Sequence, residues 1–166
     1  DGATLGVQVD YIEETTRMGT GGALSILPQR PQEPFIVMNG DILTTVSFSK
    51  ILEFHHKTNS IVTICARDFN LQVPYGVLNT EGNTLVSMEE KPVHKYLINA
   101  GIYALSPVVF EFIQNEESLD LPDLIKKVRD VGHRVSVFPI SGYWMDIGNH
   151  EDLERARADY DIVFEK

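Results

Sequence analysis

The 166 residues include 14 lysines and arginines against 24 aspartates and glutamates, a formal charge of −10, with 43% hydrophobic and 23% charged residues. That acidic balance argues against an extended phosphate-tracking surface, so neither DNA nor RNA is expected as a partner. The longest apolar stretch, Ile61 to Ala66, is far too short to span a bilayer, and Cys65, the only cysteine, has no partner within the chain. A single soluble, cytoplasmic domain is expected, long enough to bury a core without disulfides.

In chain order, Asp1-Gly2-Ala3 is turn chemistry leading into a strand over Gly6 to Ile12. Gly21 to Leu27 reads as a short helix stopped by Pro28. Phe35-Ile36-Val37-Met38 is a continuous apolar run, the pattern of a strand buried on both faces of a parallel sheet. A helix from Ser49 to Lys57 is followed by the β-branched run Ile61 to Ile64. Tyr75 to Leu78 and Thr84 to Met88 pair across the turn Glu81-Gly82-Asn83. Ile98 to Leu105 is a further strand, and Ser106-Pro107 starts a helix with serine as its cap.

The two later helices are clearer. Leu121, Leu124, Ile125, Val128 and Val131 fall at helical spacing, and Gly132 supplies the stop. Asn149 caps the last helix, whose inner stripe is Leu153, Ala156, Tyr160 and Val163. Between them Val135, Val137 and Tyr143 to Ile147 form strands. The whole reads as α/β with a mixed sheet, parallel at the start and hairpin-like in the middle.

Asp41, in Asn39-Gly40-Asp41, follows the buried run at the carboxyl end of a strand, where ligands gather in open α/β sheets. A carboxylate there suits a metal or a ribose, although Asn-Gly-Asp is also common turn vocabulary. Asp146, among the large apolar residues Trp144, Met145 and Ile147, is either a buried structural acid or a rigid ligand. Two such carboxylates can hold one Mg²⁺, yet spacing alone does not bring them together.

Gly19-Thr20-Gly21-Gly22 can present N–H groups to an anion or let a flat base lie against the backbone. It is neither a Walker loop nor a G-x-G-x-x-G turn, and a plain flexible connection is the bland alternative. Glu90-Lys91-Pro92 offers an ammonium for a phosphate and a carboxylate for sugar hydroxyls, or else a solvated sheet edge. Gly76 and the glycine of Asn99-Ala100-Gly101 each interrupt a strand pattern, as a bulge or a close approach would. The five histidines show no zinc spacing, and no serine sits in a nucleophile elbow.

Taken in order, Met18 to Leu24, Phe35 to Asp41, Pro74 to Val77, Glu90 to Pro92, Asn99 to Tyr103 and Trp144 to Gly148 resemble the sugar nucleotidyltransferase family. The likeness is greatest to the hexose-1-phosphate guanylyltransferase type. It implies a Rossmann-like mixed sheet of the nucleotide-diphospho-sugar transferase kind. It also implies the reaction of an NTP with a sugar 1-phosphate to give an NDP-sugar and pyrophosphate. By that resemblance Asp41 and Asp146 hold Mg²⁺, and Lys91 contacts the sugar phosphate. Gly76, Glu90 and Asn99 read the sugar, while Gly19, Thr20 and Gly40 border the nucleoside. The implied partners are an NTP, GTP favoured, a hexose 1-phosphate, and an upstream regulatory domain of the kind some relatives carry.

One part of the family pattern, a Gly-x-Gly-x-Arg loop with a downstream Lys-Pro, has no match in the chain. An N-terminal nucleotide-binding segment is therefore expected before Asp1. The fragment alone is expected to be inactive or nearly so, since losing such charge stabilisation costs on the order of 100-fold or more. Two competing readings remain at this point. One is a sugar-phosphate or nucleotide-binding regulatory module without catalysis. The other is a metal-dependent glycosyltransferase, which would favour a clustered Asp-x-Asp that the chain lacks.

Overall fold

The computed structural model describes residues 2–164, so Asp1 of the expected opening turn lies outside the described residues. Its centre is a four-stranded sheet in the order β1-β6-β3-β7, formed by β1 (Phe35–Met38), β3 (Val62–Gln72), β6 (Val93–Leu105) and β7 (Val135–Pro139). Two small antiparallel pairs stand beside it. They are β2 (Ile42–Thr44) with β8 (Trp144–Asp146), and β4 (Val77–Glu81) with β5 (Thr84–Glu89).

Strand β6 carries the core on both faces, because successive side chains alternate. Tyr103 and Leu105 join Val62, Val109, Leu121, Leu124 and Val128 on one side. Ala100, Ile102 and Ala104 join Ile51 and Cys65 on the other. The first layer is covered by a 3₁₀ segment, Pro107–Phe112, and by α2 (Leu121–Asp130). The second is covered by α1 (Phe48–Thr58), whose first turn is capped by Ser47 accepting from the Lys50 N–H at 3.4 Å.

Several expected elements change form. Gly6 to Ile12 forms no strand, and Val7, Val9 and Tyr11 are exposed. Its alternation has no neighbouring strand among the described residues to pair with. Gly22–Ile26 is a 3₁₀ turn rather than an α-helix. Strand β1 is half-buried rather than buried on both faces, and among the described residues it pairs with β6 alone, antiparallel. The parallel pair is instead β3 with β7. The helix expected at Pro107 is a 3₁₀ segment, and the Ser106 hydroxyl makes no cap bond.

That hydroxyl serves a buried polar chain instead. Ser106 Oγ donates to the Ser60 carbonyl at 3.0 Å and lies 2.8 Å from His55 Nε2, while His55 Nδ1 lies 2.9 Å from Thr63 Oγ1. Since the Ser106 proton is already committed, Nε2 must be the donor to Ser106, and Nδ1 accepts from Thr63. His55, 1% exposed, is thus held neutral in one tautomer. Burial, with a contribution from the neighbouring His56, pulls its pKa below the usual imidazole value. Burial likewise pushes the Cys65 thiol up to about 12, so it stays protonated and inert.

Candidate active site

Asp41 and Asp146 are 105 positions apart in sequence and neighbours in space. Asp146 pairs with Ile42 in the β2–β8 ladder, and the Ile147 N–H donates to the Asp41 carbonyl at 2.8 Å. Both carboxylates are exposed at that end of the fold. The ladder is anchored by Trp144, whose Nε1 donates to the Ala100 carbonyl at 2.8 Å.

Asn99 joins the same end. Between Ile64 and Ala66 of β3 the facing strand β6 advances from Tyr103 to Asn99, so β6 bulges, with Gly101 at φ +69°. The expected bulge at this glycine is therefore present. A Cβ on Gly101 would lie 2.9 Å from Asn39 Nδ2, and the Asn39 N–H donates to the Gly101 carbonyl at 2.9 Å. Asn99 Nδ2 donates to Tyr103 Oη at 2.7 Å and its Oδ1 accepts from the Gly101 N–H at 3.0 Å. One amide hydrogen and one lone pair of the Asn99 side chain remain for a ligand.

Gly76, Glu90 and Lys91 form a second group. Glu90 Oε2 lies 3.1 Å from where a Gly76 Cβ would stand, and Lys91 Nζ lies 4.0 Å from Glu90 Oε1. Gly76 precedes β4, and the bulge in the hairpin falls between Asn79 and Thr80 instead. Lys91 has φ +46°, a left-handed conformation that costs a side-chain-bearing residue energy. This group sits at the far end of the β3–β6 arm. Val93, two residues beyond Lys91, pairs with Gln72, and six residues of strand, roughly 20 Å, separate it from Asn99.

Gly19 and Thr20 form a third group, against the start of α2. The Thr20 N–H donates to Asp120 Oδ1 at 2.9 Å, the Gly21 N–H to the Leu119 carbonyl at 2.8 Å, and the Gly22 N–H to the Gly19 carbonyl at 3.3 Å. These amides are committed within the protein, so the turn is not an anion nest. What it offers a ligand is the exposed Gly19–Thr20 backbone lining a depression. Gly40, next to Asp41, is exposed and has open space where a Cβ would go.

Sequence reasoning missed Arg67. It lines an open depression of about 480 Å³ together with Ile98, Trp144, Asp146, Asp152 and Arg155. Its Nη1 donates to the Trp144 carbonyl at 2.9 Å and its guanidinium lies 4.9 Å over the indole ring. The alternation of Arg67, Phe69 and Leu71 with Asp68, Asn70 and Gln72 was the available signal, since it extends β3 well past Ile64. Glu14 and Arg17, beside Gly19 and Thr20 in another depression, carried no sequence signal at all.

The family described as nucleotidyl transferase matches residues 1–162. The chain belongs to that family. It is 32% identical over 159 residues to a mannose-1-phosphate guanyltransferase of Yarrowia lipolytica, covering 89% of this chain and 42% of that protein. To the protein of the same description in Candida albicans it is 29% identical over 160 residues, covering 89% and 43%. Among solved structures, HddC from Yersinia pseudotuberculosis complexed with GMP-PN superposes with a TM-score of 0.63 at 25% identity, over 92% of this chain and 67% of that one. The chain thus spans less than half the length of the curated relatives it matches. The mixed sheet flanked by helices is that of the nucleotide-diphospho-sugar transferase fold, as the sequence resemblance implied.

Proposed function

We propose that this nucleotidyl transferase domain acts in transfer of a nucleotidyl group from an NTP, with guanosine favoured, to a hexose 1-phosphate. The products are an NDP-sugar and pyrophosphate. The β2–β8 ladder carries the reading, because it sets Asp41 beside the strand position of Asp146 at the exposed end of the sheet. Guanosine is favoured by the relatives' descriptions and by the HddC complex.

In such a transfer a phosphate oxygen of the sugar attacks the α-phosphorus in line and pyrophosphate leaves, so catalysis is positioning and charge stabilisation. Asp41 and Asp146 would hold Mg²⁺. Oxygen donors of this kind suit that ion. Both carboxylates are exposed, on backbone positions that the β2–β8 ladder makes adjacent. Mg²⁺ accepts one or two protein carboxylates and completes its shell with phosphates and water. When bound it supplies neutralisation of phosphate charge.

The remaining roles belong to the chain itself. The family resemblance gives Lys91 to the sugar phosphate, but Lys91 stands at the far end of the β3–β6 arm, and Arg67 is the rigid cation beside Asp146. Of the sugar-reading residues that the family resemblance implies, Asn99 stands at the Asp41–Asp146 corner, while Glu90 and Gly76 stay with Lys91 at the far end of the arm. Gly19, Thr20 and Gly40 border the nucleoside.

The test is Asp146→Asn and Asp41→Asn in the protein as encoded. Mn²⁺ binding by spin resonance and pyrophosphate release from GTP with mannose or glucose 1-phosphate are the readouts. Each variant is expected to weaken metal binding and to slow turnover by on the order of 100-fold or more. Unchanged metal affinity and turnover in both would overturn the reading.

A further inference from the structure

Asp120 is the N-cap residue of α2, yet its carboxylate caps nothing in its own helix. The usual acceptor role is closed to it. Pro122 has no N–H, and the Asp123 N–H donates to the Asp120 carbonyl at 3.0 Å. The carboxylate turns 100 positions back along the chain instead. Asp120 Oδ1 accepts from the Thr20 N–H at 2.9 Å and from the Thr20 hydroxyl at 3.2 Å. Thr20 Oγ1 in turn accepts from the Leu121 N–H at 3.0 Å, so a residue of the turn caps the helix from outside. Each segment satisfies the donor that the other leaves open.

The exchange lies on a glycine-rich turn whose own internal bond runs from the Gly22 N–H to the Gly19 carbonyl. Gly19, Gly21 and Gly22 lose more backbone freedom on ordering than any other residues would. Backbone bonds pin the turn at Leu119, whose N–H donates to Met18 and whose carbonyl accepts from Gly21, both at 2.8 Å. The Thr20–Asp120 exchange supplies the rest. The approach is close enough to exclude a side chain at Gly19, where φ is +82° and a Cβ would stand 2.7 Å from Asp120 Oδ1. The turn and Asp120 share an open depression of about 560 Å³, within the size range of small-molecule sites, with Glu14, Arg17 and Ser118 completing its wall.

We propose that Asp120 is a positioning residue for the nucleotide. Through Thr20 it fixes the exposed Gly19–Thr20 backbone, the part of the turn that lines the depression, against which a purine base rests, without touching the base itself. The proposal rests on the nucleotide reading given above. It also reassigns Thr20, whose hydroxyl both donates and accepts within the protein and so orders the turn rather than reading the base.

The experiment titrates Mg-GTP and, separately, mannose 1-phosphate into the unaltered protein as encoded and into Asp120→Ala, Asp120→Asn and Thr20→Val. Amide hydrogen exchange at Thr20 and Leu121 reports whether the exchange of bonds has opened. Asp120→Ala and Thr20→Val are expected to lose roughly tenfold or more in GTP affinity, as removal of a bond to a charged group allows. Sugar phosphate affinity should hold. Asp120→Asn, which keeps an oxygen at the Oδ1 position, should keep most of the GTP affinity. Unchanged GTP affinity in Asp120→Ala, with Thr20 exchange accelerated, overturns the proposal. Equal loss of both ligands with a lowered melting temperature also overturns it, since that marks a general role in folding. Failure of the unaltered protein to bind GTP would instead refute the nucleotide reading, and this inference with it.

Discussion

Trp144 donates its indole N–H to the carbonyl of Ala100 at 2.8 Å, and that bond fastens the β2–β8 ladder to the central sheet next to Asn99. Ala100 is fully buried, so without the indole its carbonyl loses a donor where water does not reach. Trp144 also supports the Arg67 guanidinium on its ring face. Trp144→Phe keeps most of the apolar surface and removes only the donor. It is expected to lower unfolding free energy by about 1–3 kcal/mol, read as a reduced urea midpoint with unchanged slope.

Gly101 supports the same corner from the other strand. With φ +69° and Asn39 Nδ2 2.9 Å from any added Cβ, alanine there is strained in backbone and crowded in space. Gly101→Ala is expected to cost about 1–3 kcal/mol by chemical denaturation. It should also displace Asn39 and with it the approach to Asp41, which a weaker Mn²⁺ affinity would report.

Lys91 allows backbone strain to be separated from side-chain function. Its φ of +46° favours glycine over any residue bearing a Cβ. Lys91→Gly is expected to be more stable than Lys91→Ala by about 1 kcal/mol in equilibrium unfolding. Both remove the ammonium equally, so any change in sugar phosphate affinity should be the same in the two. Equal stability of the two variants would show that the left-handed conformation carries no cost.

His55 sets a pH dependence of stability. Its folded pKa is depressed by burial first and by His56 second, so the unfolded chain binds the proton more readily. Stability from this group is therefore fully present above the unfolded imidazole value near 6.5. It is lost as pH falls from there toward the folded pKa. A second proton on the ring would sit on Nδ1, facing a Thr63 hydroxyl that already donates to it. Urea midpoints measured from pH 7.5 to 5 should fall for the unaltered protein and fall less steeply for His55→Gln.

Some elements were legible in the residues and others were not. Helix α2 and the Asn149 cap of the last helix α3 (His150–Val163) follow from local rules, namely apolar spacing and a side-chain oxygen 3.0 Å from the Asp152 N–H. The bulge at Gly101 was signalled by a glycine inside a strand pattern. Strand β1 misled because a short apolar run marks burial without naming the partner strand, and the partner turned out to be antiparallel β6. The segment from Gly6 to Ile12 alternates as a strand does, yet alternation forms no ladder without a neighbour. Arg67 lies beyond the β-branched start of β3, where the residues no longer signal a strand by composition.

The residues alone determined the chemistry available: two carboxylates, a lysine beside a glutamate, glycines at points of close approach, and a net charge of −10. Motif order was enough to indicate the family. Only the tertiary structure decided which groups meet. Asp41 and Asp146 become neighbours through backbone hydrogen bonds between β2 and β8, which join segments 105 positions apart and leave no trace in local propensity. Thr20 and Asp120 meet for the same reason. A carboxylate and a hydroxyl bond whatever donors and acceptors the packing brings within about 3 Å, and that distance is set by the fold rather than by spacing in the chain.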